Sequence, residues 1–134
     1  MIRVMVYDDN AGRCEGLELL INHNEDMKCV GTFENCVNVL HEVEQLNPDV
    51  ILMDIDMPEV NGIEGLKKIR RNFPDVMVVM QTVFDDEVKI FDAIRSGAHG
   101  YFLKKTSPER LIEGIRDVKE CGAPMMASVA GKVL

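Results

Sequence analysis

Three acidic side chains directly follow two apolar segments of this chain, and their placement suggests cation and phosphate chemistry. Ile2–Tyr7 runs into Asp8 and Asp9, and residues 50–53 run into Asp54. Apolar runs of this length, rich in branched side chains, predict strands buried on both faces, as in a parallel sheet. Ligand sites of open parallel sheets lie beyond the carboxyl ends of the strands, so neighbouring strands would bring the three carboxylates together.

Three carboxylates gathered in this way repel each other, so some must be protonated or a cation must lie among them. An oxygen-only ligand set suits Mg²⁺ or Mn²⁺, which keep several waters and commonly bridge to a phosphate group. The acidic residues therefore predict a divalent-cation site that handles phosphate.

The length and the net charge of the chain limit the number of domains and the kinds of partner that it can bind. The chain has 134 residues, enough for one domain, with 15 Lys and Arg against 23 Asp and Glu and a net charge of −8. An acidic domain without a basic surface is not expected to bind nucleic acid or an anionic membrane by itself. No apolar stretch approaches the roughly 18 residues of a membrane span. The four cysteines form no C-x-x-C pair, so we expect reduced, mostly buried thiols in a cytoplasmic protein.

Strand and helix signals alternate along the chain, which predicts an α/β fold with a parallel sheet covered on both faces. Apolar periodicity predicts that Leu20 in the first helix and Leu40 in the second lie on buried faces. Ser128 could cap a short helix in the tail, residues 125–134. The predicted strands are Ile2–Tyr7, Met27–Phe33 near an edge, 50–53, 76–80 and Gly100–Leu103. The predicted helices are 11–22, one capped by Asn35 and ending near 46, 62–72, one capped by Asp85 or Asp86 and ending near 96–97, and one starting at 107–109.

Two further polar residues follow predicted strands, Thr82 after the fourth and Lys104 after the fifth. Asp54 ends the strand expected at the centre, so it is best placed to attack a phosphoryl group. A divalent ion on Asp8 or Asp9, the Lys104 ammonium and the Thr82 hydroxyl could each neutralise one phosphoryl oxygen. Each of these residues alone would be read as a cap, a packing residue or a solvated charge, but their combination favours a site.

The same residues resemble the receiver domain of bacterial two-component response regulators, over residues 1–120. The matching stretches are 6–10 (VYDDN), 54–58 (DIDMP) with 61–62 (NG), 81–82 (QT) and 101–105 (YFLKK). The resemblance implies a flavodoxin-like, five-stranded parallel sheet in the order 2-1-3-4-5 with five helices. It also implies that Asp54 accepts phosphate from a sensor histidine kinase.

The resemblance further implies a ligand set and a switch. Asp8 and Asp9 would hold Mg²⁺ with Asp54 and the backbone carbonyl of Asp56, while Lys104 would contact the phosphate. Thr82 and Tyr101 would form the switch pair: Thr82 moves towards the phosphate, and Tyr101 rotates inward into the space. The altered surface would then control homodimerisation or an output domain. Such a domain is a regulatory phosphoacceptor that catalyses its own phosphorylation and dephosphorylation, rather than a turnover enzyme.

Residues 104–111 and the tail resemble the NarL/FixJ subgroup, which continues into a LuxR-type helix-turn-helix domain. We therefore expect a receiver at 1–121 and, at 122–134, the helical start of a linker towards an output domain absent from this sequence. DNA would be contacted only through that domain. The sequence would then be part of a longer protein; the alternative is a receiver that stands alone.

Two residues depart from the simplest form of this site. Val83 follows Thr82 where the family usually has Ala or Gly, and its stiff side chain would hinder access to the phosphorylated carboxylate. Asp56 adds a fourth acid. It either faces solvent and contributes only its backbone carbonyl, or its side chain strengthens cation binding or repels incoming phosphodonors. The pair Asp54 and Asp56 also matches Mg²⁺-dependent phosphatases that use an Asp nucleophile, which is one rival function. A receiver-like binding module that is never phosphorylated is the other.

Overall fold

Strands and helices alternate along the part of the chain that the computed structural model describes, residues 1–57, 59–83 and 87–121. The elements begin and end close to the positions predicted from the sequence. In chain order they are β1 (Ile2–Tyr7), α1 (Ala11–Asn22), β2 (Met27–Phe33), α2 (Val39–Leu46), β3 (Val50–Asp54), α3 (Gly62–Asn72), β4 (Met77–Thr82), α4 (Glu87–Arg95), β5 (Gly100–Leu103) and α5 (Pro108–Cys121).

The strands form one parallel sheet in the order β2-β1-β3-β4-β5. This confirms the flavodoxin-like order 2-1-3-4-5, with β3 at the centre and β2 at an edge. Parallel neighbours cannot be joined by a tight turn, so each connection crosses the sheet through a helix. Tyr7 pairs with Met53 in register, which sets the ends of β1 and β3, and the acids that follow, side by side.

The core lies in two layers, one on each face of the sheet. On one face Val6, Leu52 and Phe102 pack with Leu17 of α1 and Ile115 of α5. The alternate strand residues point to the other face, because side chains along a strand alternate, and they pack against α2, α3 and α4. No helix in the described ranges is long and apolar enough to cross a membrane.

Side-chain caps let three helices begin directly after short loops. Asn10, Asn61 and Ser107 each accept a hydrogen bond from the backbone N–H three residues further on, at 3.0, 3.0 and 3.3 Å. Each cap satisfies one of the backbone donors that the first helical turn leaves without a partner. The cap of α5 is confirmed, and the caps of α1 and α3 hold the loops that follow β1 and β3.

Helix α2 differs from its prediction. The sequence suggested a helix capped by Asn35, but α2 begins at Val39, and the Asn35 side chain accepts from the N–H of Val37 at 3.0 Å in a local turn. Asparagine forms such turns as readily as helix caps, so the chain makes one more turn before the helix starts. Val39 and Val43 of this helix are buried, whereas Leu40 is 36% exposed, so the predicted burial of Leu40 is wrong.

Two predicted caps lie outside the described residues: Asp85 or Asp86 before α4, and Ser128 in the tail. Helix α4 itself runs from Glu87 to Arg95 and ends where the Ser96-Gly97 signal predicted. The three described thiols, Cys14, Cys29 and Cys36, are free and buried. Burial raises the pKa of Cys14 to about 11 and that of Cys36 to about 12, so these two are unreactive thiols at neutral pH.

Gly62 brings the start of α3 against the end of β3. Its N–H donates to the carbonyl of Ile55 at 2.8 Å, and a Cβ at this position would collide with the backbone carbonyl of Asp54. Only glycine permits this approach without moving the backbone that carries Asp54.

We predict that Gly62→Ala lowers the free energy of unfolding by about 2–3 kcal/mol, because the new methyl group pushes α3 away from β3. Gly16→Ala is the matched control: Gly16 lies in the exposed interior of α1, where a Cβ meets nothing within 4 Å. The control should gain about 0.5–1 kcal/mol. Urea unfolding of both variants tests this, and equal stability of the two would contradict it.

Candidate functional site

Polar side chains from three strand ends meet on one side of the sheet. Asp8, Asp54 and Lys104 each lie two residues beyond a strand residue that faces α1 and α5, so alternation turns all three to that face. Asp8 is 1% exposed and Asp54 is 3% exposed. Charged side chains are rarely this buried without partners.

Lys104 is the cation that the two buried carboxylates share. Its Nζ lies 2.9 Å from Asp8 Oδ2 and 3.1 Å from Asp54 Oδ2. Burial alone would lower the pKa of Lys104, but the close contacts with Asp8 and Asp54 and their negative charges outweigh it, so the pKa is raised. The ammonium therefore stays protonated, and it offsets part of the repulsion between the carboxylates.

Asp54 remains a carboxylate that is costly to ionise. Burial is the largest cause that raises its pKa, to about 6; the Lys104 charge opposes this, and the charge of Asp8 adds to it. Its Oδ1 accepts a hydrogen bond from the Asp56 N–H at 3.2 Å. At neutral pH Asp54 is ionised and more basic than an ordinary carboxylate, which favours its use as a nucleophile.

The three acids predicted as cation ligands do come together. Asp8, Asp9 and Asp54 each offer a carboxylate oxygen, and these oxygens lie within 4.8 Å of one another. Asp8 Oδ2 is buried and forms no hydrogen bond within the described ranges, although two cationic groups flank it. An all-carboxylate set with an unsatisfied buried oxygen fits a hard divalent cation such as Mg²⁺.

The two predicted switch residues, Thr82 and Tyr101, are both buried. Thr82 ends β4 and is fully buried, and its carbonyl accepts from the N–H of Lys104 at 2.8 Å. Tyr101 on β5 is only 1% exposed and packs in the core against α3 and α4. The Tyr101 ring thus already lies inside in this structure, and its rotation as part of a switch with Thr82 stays a prediction. Val83, the residue expected to limit access, is 60% exposed.

Asp56 is exposed, as expected for an acid that faces solvent, and it also forms an ion pair. Its side chain is half exposed, and Oδ1 lies 2.6 Å from Nζ of Lys89 on α4. The carboxylate is not a member of the cluster formed by Asp8, Asp9 and Asp54. It ties the loop after β3 to α4. No local pattern could have indicated this pair, since 33 residues separate the partners.

Arg13 and Gln81 also belong to the site, and the sequence analysis assigned neither a role. Arg13 Nε lies 3.4 Å from Asp8 Oδ2, and Arg13 Nη2 donates to Gln81 Oε1 at 3.1 Å. Gln81 pairs with Asp54 in register and is 2% exposed. Strand alternation could have identified Gln81, which has the same phase as Asp54, whereas nothing in the sequence singles out Arg13.

Sequence comparison reveals close relatives over most of the chain. Residues 4–116 match the family described as response regulator receiver domain. The uncharacterized transcriptional regulatory protein YxjL of Bacillus subtilis is 39% identical over 133 residues, which cover 99% of this chain and 61% of YxjL. The transcriptional regulatory protein DegU of Brevibacillus brevis is 36% identical over 91% of this chain and 52% of DegU. The chain thus spans between half and two thirds of the length of these relatives.

Solved structures agree with the fold. The response regulator domain of Thermotoga maritima CheB is 35% identical with a TM-score of 0.82, covering 89% of this chain and 96% of that one. The isolated REC domain of RcsB from Salmonella enterica serovar Typhimurium, solved with the phosphomimetic BeF₃⁻, has a TM-score of 0.87 at 22% identity. That match covers 98% of this chain and 97% of the RcsB chain, and it shows a shared fold.

We predict that Asp54→Asn stabilises the protein at pH 7.5 without divalent cations, by about 1–3 kcal/mol. The pKa of Asp54 is about 6 in the folded chain, above its ordinary value of 3.8. Between pH 3.8 and about 6, Asp54 therefore binds a proton more tightly in the folded state than in the unfolded state. The stability of the wild type falls as pH rises through this range, because folding then requires a buried ionised carboxylate. Asp54→Asn removes this cost and flattens the profile.

Urea unfolding between pH 4 and 8 in the presence of a chelator measures the effect. Asp75→Asn is the control for the loss of one negative charge, because Asp75 is exposed and precedes β4 at the opposite edge of the sheet. An Asp54→Asn variant less stable than the wild type at pH 7.5 would rule out the ionisation cost.

Proposed function

Because the chain belongs to the receiver domains of two-component response regulators, which act in phosphorylation-dependent signalling, we propose that Asp54 is its phosphoacceptor. The observation that carries this proposal is a buried carboxylate at the end of the central strand, 3.1 Å from the Lys104 ammonium. The acidic cluster around it supports a phosphoryl site that also takes Mg²⁺ or Mn²⁺. The donor would be a sensor histidine kinase.

In the proposed reaction an Asp54 oxygen attacks phosphorus and forms an acyl phosphate. The bond from phosphorus to the histidine nitrogen of the donor breaks, and that nitrogen keeps the electron pair. Lys104, already protonated beside Asp54, would pair with one phosphoryl oxygen, and the Thr82 hydroxyl would donate to another. Movement of Thr82 towards the phosphate would disturb its packing beside Tyr101 on β5.

The ligands proposed for the cation are Asp8, Asp9, Asp54 and the backbone carbonyl of Asp56. A bound divalent ion would supply positive charge to a phosphoryl oxygen and neutralise the carboxylates around it. Asp8 supports this assignment because its buried Oδ2 has no hydrogen bond in the described part of the chain. Hydrolysis of the acyl phosphate at the same site would reset the domain.

We further propose that phosphorylation controls homodimerisation and an output domain. The receiver would comprise residues 1–121, and 122–134 would begin a linker. YxjL and DegU, which are transcriptional regulatory proteins, are longer than the matched region, and this supports DNA contact through a separate domain. The buried free thiols support a cytoplasmic location, because cytoplasmic proteins keep their thiols reduced.

The rival phosphatase function is less well supported. A phosphatase of this type needs the acid two residues beyond the nucleophile to donate a proton to the leaving group. Here that residue is Asp56, whose carboxylate is paired with Lys89 at 2.6 Å on α4. This contact engages the Asp56 carboxylate with α4, outside the cluster of Asp8, Asp9 and Asp54.

We predict that acetyl phosphate with Mg²⁺ adds one phosphoryl group to the protein, seen by intact mass spectrometry. Asp54→Ala should abolish the adduct, and a chelator should strongly reduce it. Asp56→Asn is the matched control, since it removes an acid two residues away and should leave the adduct in place. An adduct that survives in Asp54→Ala would refute the assignment, and the absence of any adduct would favour the unphosphorylated binding module.

We predict that Val83→Ala speeds loss of the phosphoryl group, by about threefold to tenfold, because a smaller side chain beside Thr82 admits water more easily. The measurement is the decay of the adduct after the donor is removed. Val88→Ala is the control, since Val88 on α4 is 70% exposed and Val83 is 60% exposed. Equal decay in the wild type and Val83→Ala would show that Val83 does not limit access.

A further inference from the structure

The Arg13 side chain reaches from α1 across the strand end that carries Asp54. Its guanidinium contacts Asp8 at the end of β1 and Gln81 on β4, and β3 lies between those two strands. The cap of α1 fixes the Arg13 backbone, whose N–H donates to Asn10 Oδ1 at 3.0 Å. The side chain therefore starts from a defined position and lies over the cluster.

The two contacts of the guanidinium differ in kind. Its Nη2 donates a hydrogen bond to Gln81 at 3.1 Å, and Gln81 is 2% exposed and held within β4. Its Nε faces Asp8 Oδ2 at 3.4 Å, and neither of these buried atoms completes a hydrogen bond within the described ranges. Gln81 is thus the anchor, and the contact with Asp8 is a loose ion pair that can be displaced.

Charge makes this loose contact important. Three carboxylates meet here, and among the described residues the cations paired with Asp8 are Lys104 and Arg13. Asp8 Oδ2 is the atom that both cations face. A divalent ion on Asp8 would meet the guanidinium at close range, and like charges at that distance in a buried site repel strongly.

We propose that Arg13 is a positioning residue that competes with the divalent cation for Asp8, with Gln81 as the pivot on which its side chain turns away. The inference depends on the cation site of the proposed function and adds a residue to it. In the cation-free protein Arg13 offsets the charge of Asp8. When the cation binds, the guanidinium leaves Asp8 and keeps its bond to Gln81, next to Thr82.

The first test measures Mg²⁺ affinity by isothermal titration calorimetry at pH 7.5. Arg13→Met keeps an apolar stem of similar length and removes the charge, so it should bind Mg²⁺ about threefold to tenfold more tightly than the wild type. Arg13→Lys keeps the charge but cannot contact Asp8 and Gln81 through one planar group. Its Mg²⁺ affinity should therefore lie between those of the wild type and Arg13→Met. Arg71→Met is the matched control, since Arg71 lies in the last turn of α3, at the opposite edge of the sheet.

The second test examines the role of Gln81 as the anchor of the Arg13 side chain. Gln81→Met keeps the size of the side chain and removes the acceptor that holds the guanidinium over Asp8, so Mg²⁺ affinity should rise, by a smaller factor than in Arg13→Met. In the wild type, nuclear magnetic resonance should show the Arg13 Nε–H signal shifting as Mg²⁺ is added. A residue that only supports the fold would lower the melting temperature without tightening Mg²⁺ binding.

The possible failures are distinguishable. Mg²⁺ binding by the wild type with unchanged or weaker affinity in Arg13→Met would overturn the role of Arg13 and leave the proposed function intact. No Mg²⁺ binding by the wild type would overturn the cation site itself, and the role of Arg13 with it. An Arg13 Nε–H signal that Mg²⁺ leaves unmoved would also overturn the displacement. Wild-type affinity in Gln81→Met would overturn the pivot.

Discussion

The site depends on one shared ammonium group. Lys104 lies 2.9 Å from Asp8 and 3.1 Å from Asp54, two carboxylates that are almost completely buried. The positive charge at this position offsets the repulsion between the two carboxylates, which lie close together in a buried site. The parallel sheet is what permits the arrangement, since it sets β1 beside β3 and brings β5 close enough for a long side chain to reach both acids.

The balance of charge at this point explains the chemistry of Asp54. Burial raises the pKa of Asp54 to about 6, and the charge of Lys104 opposes that rise. The carboxylate is ionised at neutral pH, and any further positive charge nearby would stabilise its ionised form. A divalent cation supplies such a charge, and a phosphoryl group attached to Asp54 would bring oxygens that both cations can pair with. The same imbalance thus favours metal binding and the acceptance of phosphate.

Two pairs of side chains connect this site to the helices around it. Asp56 and Lys89 link the loop after β3 to α4, and Arg13 and Gln81 link α1 to β4. These contacts reach both faces of the sheet. Receiver domains convert a local charge into a surface change, and the proposed phosphorylation of Asp54 would add its charge close to both pairs.

The sequence by itself determined the order of strands and helices and the main chemistry of the site. Continuous apolar runs marked the buried strands, and the acids, Thr82 and Lys104 followed them at positions that a parallel sheet must gather at one edge. Only the tertiary structure decided the burial of Tyr101, the late start of α2 and the partners of Arg13 and Asp56. Those partners are 68 residues apart for Arg13 and Gln81 and 33 for Asp56 and Lys89. Long side chains choose among distant partners according to strand register and helix orientation, and neither is written in the local pattern of residues.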